Sequence, residues 1–169
     1  MTDPFAALGL PRAQALDLAD LDRRLRERAR EVHPDRFSRA PAPERARAAA
    51  ASAALHAAHR ALKDPLARAE ALLALAGRSV QGARPAPEFL EAQLAAREAI
   101  ARGDGADARE SARVALAGCE RKLAELLAPG AGVAALDGAV AALVEARFHA
   151  SLLRAAGDPP ATPRPGQDR

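Results

Sequence analysis

The sequence predicts an all-α protein, and three observations support this fold class. Of its 169 residues, 49% are hydrophobic, and many of these are alanine, the residue with the highest helix propensity. Tyrosine and tryptophan are absent, and the β-branched and aromatic residues that strands favour are sparse. Apolar residues also recur at steps of three and four, as on a helix packed along one side. A chain of this length forms one or two small domains.

Two helices are predicted before residue 33. A short apolar segment ends at Gly9 and Pro11, and we expect its Phe5 and Leu8 to dock on a neighbouring element. Asp17 is a suitable N-cap for the second helix. The apolar positions of that helix form one stripe: Leu18, Leu21, Leu25, Ala29 and Val32. A different face of the same helix is cationic and carries Arg23, Arg26 and Arg30.

The tripeptide His33-Pro34-Asp35, called the HPD turn below, follows this basic helix. Proline disfavours the α region for the preceding residue, so the helix should end near Val32. The turn then presents an imidazole and a carboxylate on backbone of restricted shape. We expect Phe37 to pack back against the helices. The next helical pattern begins only at Pro43, and its packing stripe is predicted to include small residues such as Ala51 and Ala54, followed by Leu55, Ala58 and Leu62.

The rest of the chain predicts four more helices and a division into domains. Asp64 is a suitable N-cap and Pro65 a suitable first residue for the first of them, which Gly77 ends. Three further helices with short loops, at about 87–101, 106–127 and 133–156, predict an antiparallel bundle. We therefore expect a first domain, a Gly- and Pro-rich linker, a C-terminal three-helix domain and a Pro-rich disordered tail, over residues 1–76, 77–86, 87–156 and 157–169.

Composition and motifs exclude several classes of function. The single Cys119 leaves no internal disulfide and no CxxC pair, and we expect it to be a small buried helix residue. His56 and His59 have no cysteine or suitably spaced carboxylate beside them, so no metal site is predicted. No phosphate-binding loop or nucleophile elbow is present, so no catalytic motif is predicted. No signal peptide or membrane-length apolar segment is found, which predicts a cytoplasmic protein.

Three segments carry a resemblance to a known family. A basic helix followed by the HPD turn and a second amphipathic helix resembles a J-domain. The HscB family is resembled by three stretches together: Phe5-Ala6-Ala7-Leu8-Gly9-Leu10-Pro11, His33-Pro34-Asp35-Arg36-Phe37 and Leu62-Lys63-Asp64-Pro65-Leu66-Ala67-Arg68-Ala69-Glu70-Ala71-Leu72-Leu73. Members of this family are J-type co-chaperones of iron–sulfur cluster assembly. The resemblance implies an N-terminal J-domain and a C-terminal three-helix domain that binds the client.

The resemblance also implies two sets of contact residues. His33, Pro34 and Asp35 would contact an HscA/DnaK-class chaperone and stimulate its ATPase, so that the nucleotide and its Mg²⁺ belong to the partner and this chain needs no cofactor. The arginines of the basic face, Arg23, Arg26 and Arg30, would steer association. An IscU-type scaffold protein, the client, would be bound by Leu90, Leu94, Glu98 and Phe148.

The client residues are open to a second interpretation. Leu90, Leu94 and Glu98 are spaced four residues apart and share one helical face, but apolar residues at helical spacing usually belong to a core. The chain also departs from the family pattern nearby, with Glu91 at a position that is hydrophobic in some relatives. Ala95 and Arg102 occupy positions that are acidic in the family. Leu90, Leu94 and Phe148 are therefore either exposed client contacts or bundle core.

Two other functions remain open from the sequence. A J-domain protein that serves a different client would share the first domain's role and differ in that of the second. A helical protein that binds nucleic acid through its arginines is the other alternative, because a basic face attracts any acidic surface. Against it, the basic helix is short, lacks stacking aromatics and is interleaved with Asp22, Glu27 and Glu31. We expect neither nucleic acid nor membrane as a partner.

Overall fold

The structure, a computed structural model, describes residues 3–157 apart from the side chain of Pro34. Across that range it contains seven helices and one 3₁₀ turn and no strand, which confirms the predicted all-α fold. The helices are α1 Pro4–Leu8, α2 Leu18–Glu31, α3 Ala42–Lys63, α4 Pro65–Leu75, α5 Pro87–Arg102, α6 Ala106–Leu126 and α7 Val133–Ala155. The predicted disordered tail, except for Gly157, lies outside the described residues.

The chain divides into two compact units, one ending at Leu75 and the other beginning at Ala76. The predicted domain limits, with a separate linker over 77–86, stay a prediction. In the first unit α1 is short but docks as expected, since the side chains of Phe5 and Leu8 are fully buried. The core that they join also contains Leu10, Leu21, Leu55, Ala58 and Leu62.

Helices α2 and α3 pack against each other as an antiparallel hairpin. Asp22, near the start of α2, lies 2.6 Å from the Nε2 atom of His59, near the end of α3. This hydrogen bond lowers the pKa of Asp22, because it stabilises the carboxylate. The predicted α3 stripe is partly wrong: Ala54 is exposed, whereas Ala48 is buried. In a helix rich in alanine, many faces are equally apolar, so periodicity alone does not choose among them.

The junction between α3 and α4 is built around a buried arginine. Asp64 caps α4 as predicted, its Oδ1 accepting from the backbone amides of Leu66 and Ala67. The guanidinium of Arg68 donates to the carbonyls of Leu62 and Gln14 at 2.9 and 2.6 Å. Buried charge needs such partners, and here it ties the α1–α2 loop to the α3–α4 junction. The stretch Asp64 to Arg68 therefore has a structural role.

In the second unit, α6 and α7 form the main helix pair and α5 packs on both. Small residues let α7 approach its neighbours closely, since Ala139, Ala142, Ala146 and Ala150 are all buried along it. Gly105, between α5 and α6, is required by close packing: a Cβ there would lie 2.5 Å from the Cα of Ile100. The limits predicted for these three helices agree with the structure to within one residue.

Candidate functional site

The HPD turn leads into a one-turn 3₁₀ helix, Pro34–Phe37, an element that was not predicted from the sequence. His33 precedes it in an extended conformation, φ −60° and ψ 130°, as expected for a residue before proline. The Nδ1 atom of His33 accepts from the backbone amide of Asp35 at 3.3 Å. The side chains of His33 and Asp35 remain 58% and 91% exposed. Both polar groups are therefore presented to solvent on a backbone set by local hydrogen bonds.

Arg36 connects this turn to the basic helix. Its guanidinium donates to the carbonyl of Arg30 at 3.2 Å, near the C-terminal end of α2. A groove lined by Arg26, Ala29, Arg30, His33 and Arg36 runs beside the turn. The 3₁₀ turn packs against α3, and Phe37 is half-buried there. Sequence reasoning missed Arg36, although its position directly after the tripeptide was a signal for it.

The three predicted steering arginines are not equivalent in the structure. Arg23 forms ion pairs with Asp20 and with Glu27, the latter at 3.0 Å. These contacts, chiefly the hydrogen bond to Glu27, raise the pKa of Arg23. Arg26 and Arg30 are exposed and form no ion pair with any described residue. Arg26 and Arg30 both line the groove beside His33, so the positive charge of α2 that lies outside these ion pairs is close to the HPD turn.

The predicted client residues occupy an exposed surface of the second unit. Leu94 is 59% and Leu90 is 39% exposed, and Glu98 is exposed on the same face of α5. Leu90 and Leu94 are therefore not bundle core. Phe148 on α7 is half-buried and contacts the ring of Phe89 edge to face, with ring centroids 5.8 Å apart.

A polar pair that the sequence analysis did not single out lies beneath this surface. Gln93 is only 7% exposed, and its Nε2 atom lies 3.1 Å from the Nδ1 atom of His149. The His149 ring also meets Phe89 edge to face, with centroids 5.3 Å apart. Burial lowers the pKa of His149. The sequence contains one signal for this pair: Gln93 lies four residues after Phe89, where an inward-facing apolar residue is expected.

The remaining candidate residues show no chemical site. Cys119 is half-buried on α6, and burial raises the pKa of its thiol. His56 is exposed. His59 forms a hydrogen bond with Asp22, which lies 37 positions away in the sequence. Within residues 3–157, no three His, Cys, Asp or Glu side chains lie close enough together to hold a metal ion. No helix in that range is long and apolar enough to cross a membrane.

Comparison with known proteins identifies the family. The chain is 39% identical over 126 residues to the co-chaperone protein HscB homologue of Chromobacterium violaceum, a match that covers 72% of this chain and 71% of that protein. The chain belongs to the HscB co-chaperone family. No family model matches it. The resemblance to the HscB family found in the sequence is thereby confirmed.

Two solved HscB structures share its fold. Chaperone HscB from Vibrio cholerae aligns with a TM-score of 0.73 and 27% identity, covering 92% of this chain and 96% of that one. Human co-chaperone HscB aligns with a TM-score of 0.76, covering 93% and 81% of the two chains. At 21% identity, the human protein supports the fold alone. This chain thus has the all-helical fold of the HscB structures.

Proposed function

We propose that this J-domain co-chaperone binds an IscU-type iron–sulfur scaffold protein and delivers it to an HscA/DnaK-class chaperone, whose ATPase it stimulates. The observation that carries the proposal is the exposure of two separate surfaces. One is the HPD turn with Arg26 and Arg30. The other consists of Leu90, Leu94 and Glu98, with Phe148 nearby, and is called the client face below.

The HPD turn has the chemistry of a docking group. Asp35 is almost fully exposed and can accept two hydrogen bonds from an arginine of the chaperone, the strongest form of such a contact. The local hydrogen bonds of the turn lower the entropy lost on docking, because the backbone is ordered beforehand. Arg26 and Arg30 add long-range attraction that accelerates association. In this proposal the turn triggers chemistry in the chaperone and catalyses no reaction itself.

The client face has the chemistry of a protein-binding surface. Exposed leucines on a helix bury apolar area when a partner covers them, and Glu98 adds a charge at the edge that selects among partners. The same face would suit a client other than a scaffold protein, so the identity of the client is what an experiment must decide. We place this activity in the cytoplasm, where ATP is available to the chaperone; cell fractionation tests that location.

The chaperone role is tested by single-turnover ATP hydrolysis by an HscA-type chaperone, measured with and without this protein. Wild-type protein is expected to accelerate hydrolysis, and His33→Gln is expected to lose that effect. The matched control is His56→Gln, since His56 is an exposed histidine on α3 away from the HPD turn. Stimulation by His33→Gln equal to that of wild type would show that the mechanism assigned to the turn is wrong.

The client role is tested by capture on immobilised wild-type protein, followed by mass identification of what is retained. An IscU-type scaffold protein is expected, and Leu94→Asp or Phe148→Asp should abolish its retention while helicity is preserved. Retention of a different protein by the same face would support a J-domain protein for another client. Loss of helicity in Phe148→Asp would instead assign that half-buried residue to the bundle core.

A further inference from the structure

The residue that helix α5 buries most deeply against its bundle is polar. All its residues, Pro87–Arg102, are described, and Gln93 is the only one of them that is buried. The inward stripe of the helix consists of Phe89, Gln93, Ala96 and Ile100, and its three apolar members are only half-buried. Gln93 is thus the centre of the contact between α5 and α7, through its hydrogen bond to His149.

Apolar burial alone does not fix the rotation of this helix, because apolar residues lie on two of its sides. Leu90 and Leu94 directly follow Phe89 and Gln93, and successive residues of a helix are separated by about 100° around its axis. A rotation of α5 by one position would turn both leucines towards the bundle, but it would also turn Phe89 and Ile100 away from it, so the hydrophobic effect gives little preference for either rotation. In the observed structure the leucines face solvent. A directional interaction can therefore decide between the two rotations.

We propose that Gln93 and His149 are positioning residues for client binding, whose hydrogen bond sets the rotation of α5 so that Leu90 and Leu94 stay exposed beside Phe148. This inference rests on the proposed role of the client face. Gln93 is buried and His149 is half-buried, and a hydrogen bond between them requires one register of α5 against α7. A single buried polar residue sets helix register in the same way in coiled coils, at a cost in stability.

Two further contacts agree with this role. The Phe89 ring lies between the rings of Phe148 and His149 and meets both edge to face, so the pair also orients the aromatic side of the client face. The Oε1 atom of Gln93 is buried and has no hydrogen-bond partner among the described residues. Replacement of a hydrogen-bonded polar pair such as Gln93 and His149 by apolar side chains of similar volume is often neutral or stabilising. Effects on stability and on positioning can therefore be separated experimentally.

The test measures the melting temperature of each variant and its affinity for a purified IscU-type scaffold protein by calorimetry. Gln93→Met and His149→Leu each remove one partner of the hydrogen bond and keep an apolar side chain of similar size. Each is expected to remain helical and to bind the scaffold about tenfold more weakly than wild type. The double variant should bind no more weakly than the singles, because both residues act through one bond.

Two controls separate positioning from a general loss of structure. His149→Asn places an oxygen acceptor close to the position of Nδ1, and it is expected to bind within about threefold of wild type. Gln81→Met makes the same change at an exposed glutamine ahead of α5 and should have no effect. Rescue by asparagine is not expected of a residue that only fills space.

Four results would overturn the proposal. If wild type binds the scaffold and Gln93→Met and His149→Leu bind equally well, the pair has no positioning role, although the client face stands. If affinity falls only in parallel with melting temperature, the pair serves stability. If His149→Asn binds as weakly as His149→Leu, the hydrogen bond is not what matters. If wild type fails to bind the scaffold, the proposed client is wrong and the positioning inference fails with it.

Discussion

The HPD turn and the client face expose functional groups by different physical means. The turn is made by neighbouring residues: a proline, an imidazole that accepts from a nearby amide, and Arg36, which bonds to the carbonyl of Arg30. The client face joins two helices and depends on which side of α5 is turned outward. The first is therefore robust to changes in the core, whereas the second is sensitive to how the bundle packs.

The largest effect is expected from Asp35→Asn in the HPD turn. Loss of the carboxylate leaves a chaperone arginine with a weaker partner, so stimulation of ATP hydrolysis should fall by about 30-fold or more at limiting concentration. Scaffold affinity, measured by calorimetry, should not change. A parallel fall in scaffold affinity would contradict the independence of the two surfaces.

The next largest effect contrasts two leucines of the same unit. Leu94→Ala should weaken scaffold binding by about tenfold or more, while the free energy of unfolding changes by less than about 1 kcal/mol. Leu123, on α6, is fully buried, so Leu123→Ala should lower the free energy of unfolding by about 2–5 kcal/mol. Urea denaturation and calorimetry measure the two quantities. Equal destabilisation by both changes would show that Leu94 belongs to the core.

A smaller effect is expected at the arginines and tests whether ion pairing within α2 reduces steering. Arg26→Ala and Arg30→Ala should each slow association with the chaperone by about two- to fivefold at low salt. Arg23→Ala should slow it less, because Asp20 and Glu27 already compensate that charge. Stopped-flow rates over a range of salt concentrations provide the measurement. A larger effect at Arg23 would show that its ion pairs open on docking.

The smallest effect concerns the Asp22–His59 hydrogen bond of the α2–α3 hairpin. The pKa of Asp22 is lower in the folded state than in the unfolded chain, so its contribution is present above the unfolded value and is lost on acidification. Asp22→Asn should reduce the free energy of unfolding at pH 7 by less than about 1 kcal/mol, since the carboxylate is half exposed.

The difference between Asp22→Asn and wild type should shrink as the pH falls below about 4, the value for the unfolded chain, and on through the lower folded pKa of Asp22. Denaturant unfolding at several pH values measures this difference. Asp20→Asn, which removes another carboxylate of α2, is the comparison variant. A difference that grows on acidification would contradict the assigned direction of the shift.

Much of the fold was predictable because its signals are local. Asp17 and Asp64 cap their helices as predicted, and the proline after His33 ends α2 close to the expected residue. The stripe of α3 was harder to predict, because alanine on every side removes the contrast on which periodicity depends. The 3₁₀ turn after His33 also escaped prediction, since one turn leaves no repeat in the sequence.

What the sequence by itself determined is the all-α fold, the order and limits of the helices, and the HPD turn with its basic helix. Caps, prolines and tripeptides act within a few residues, so neighbouring positions suffice to recognise them. Only the tertiary structure decided that Leu90 and Leu94 are exposed, that Arg23 is compensated, and that Gln93 meets His149. Those outcomes depend on side-chain geometry and on residues far apart in the chain, which spacing along one helix does not reveal.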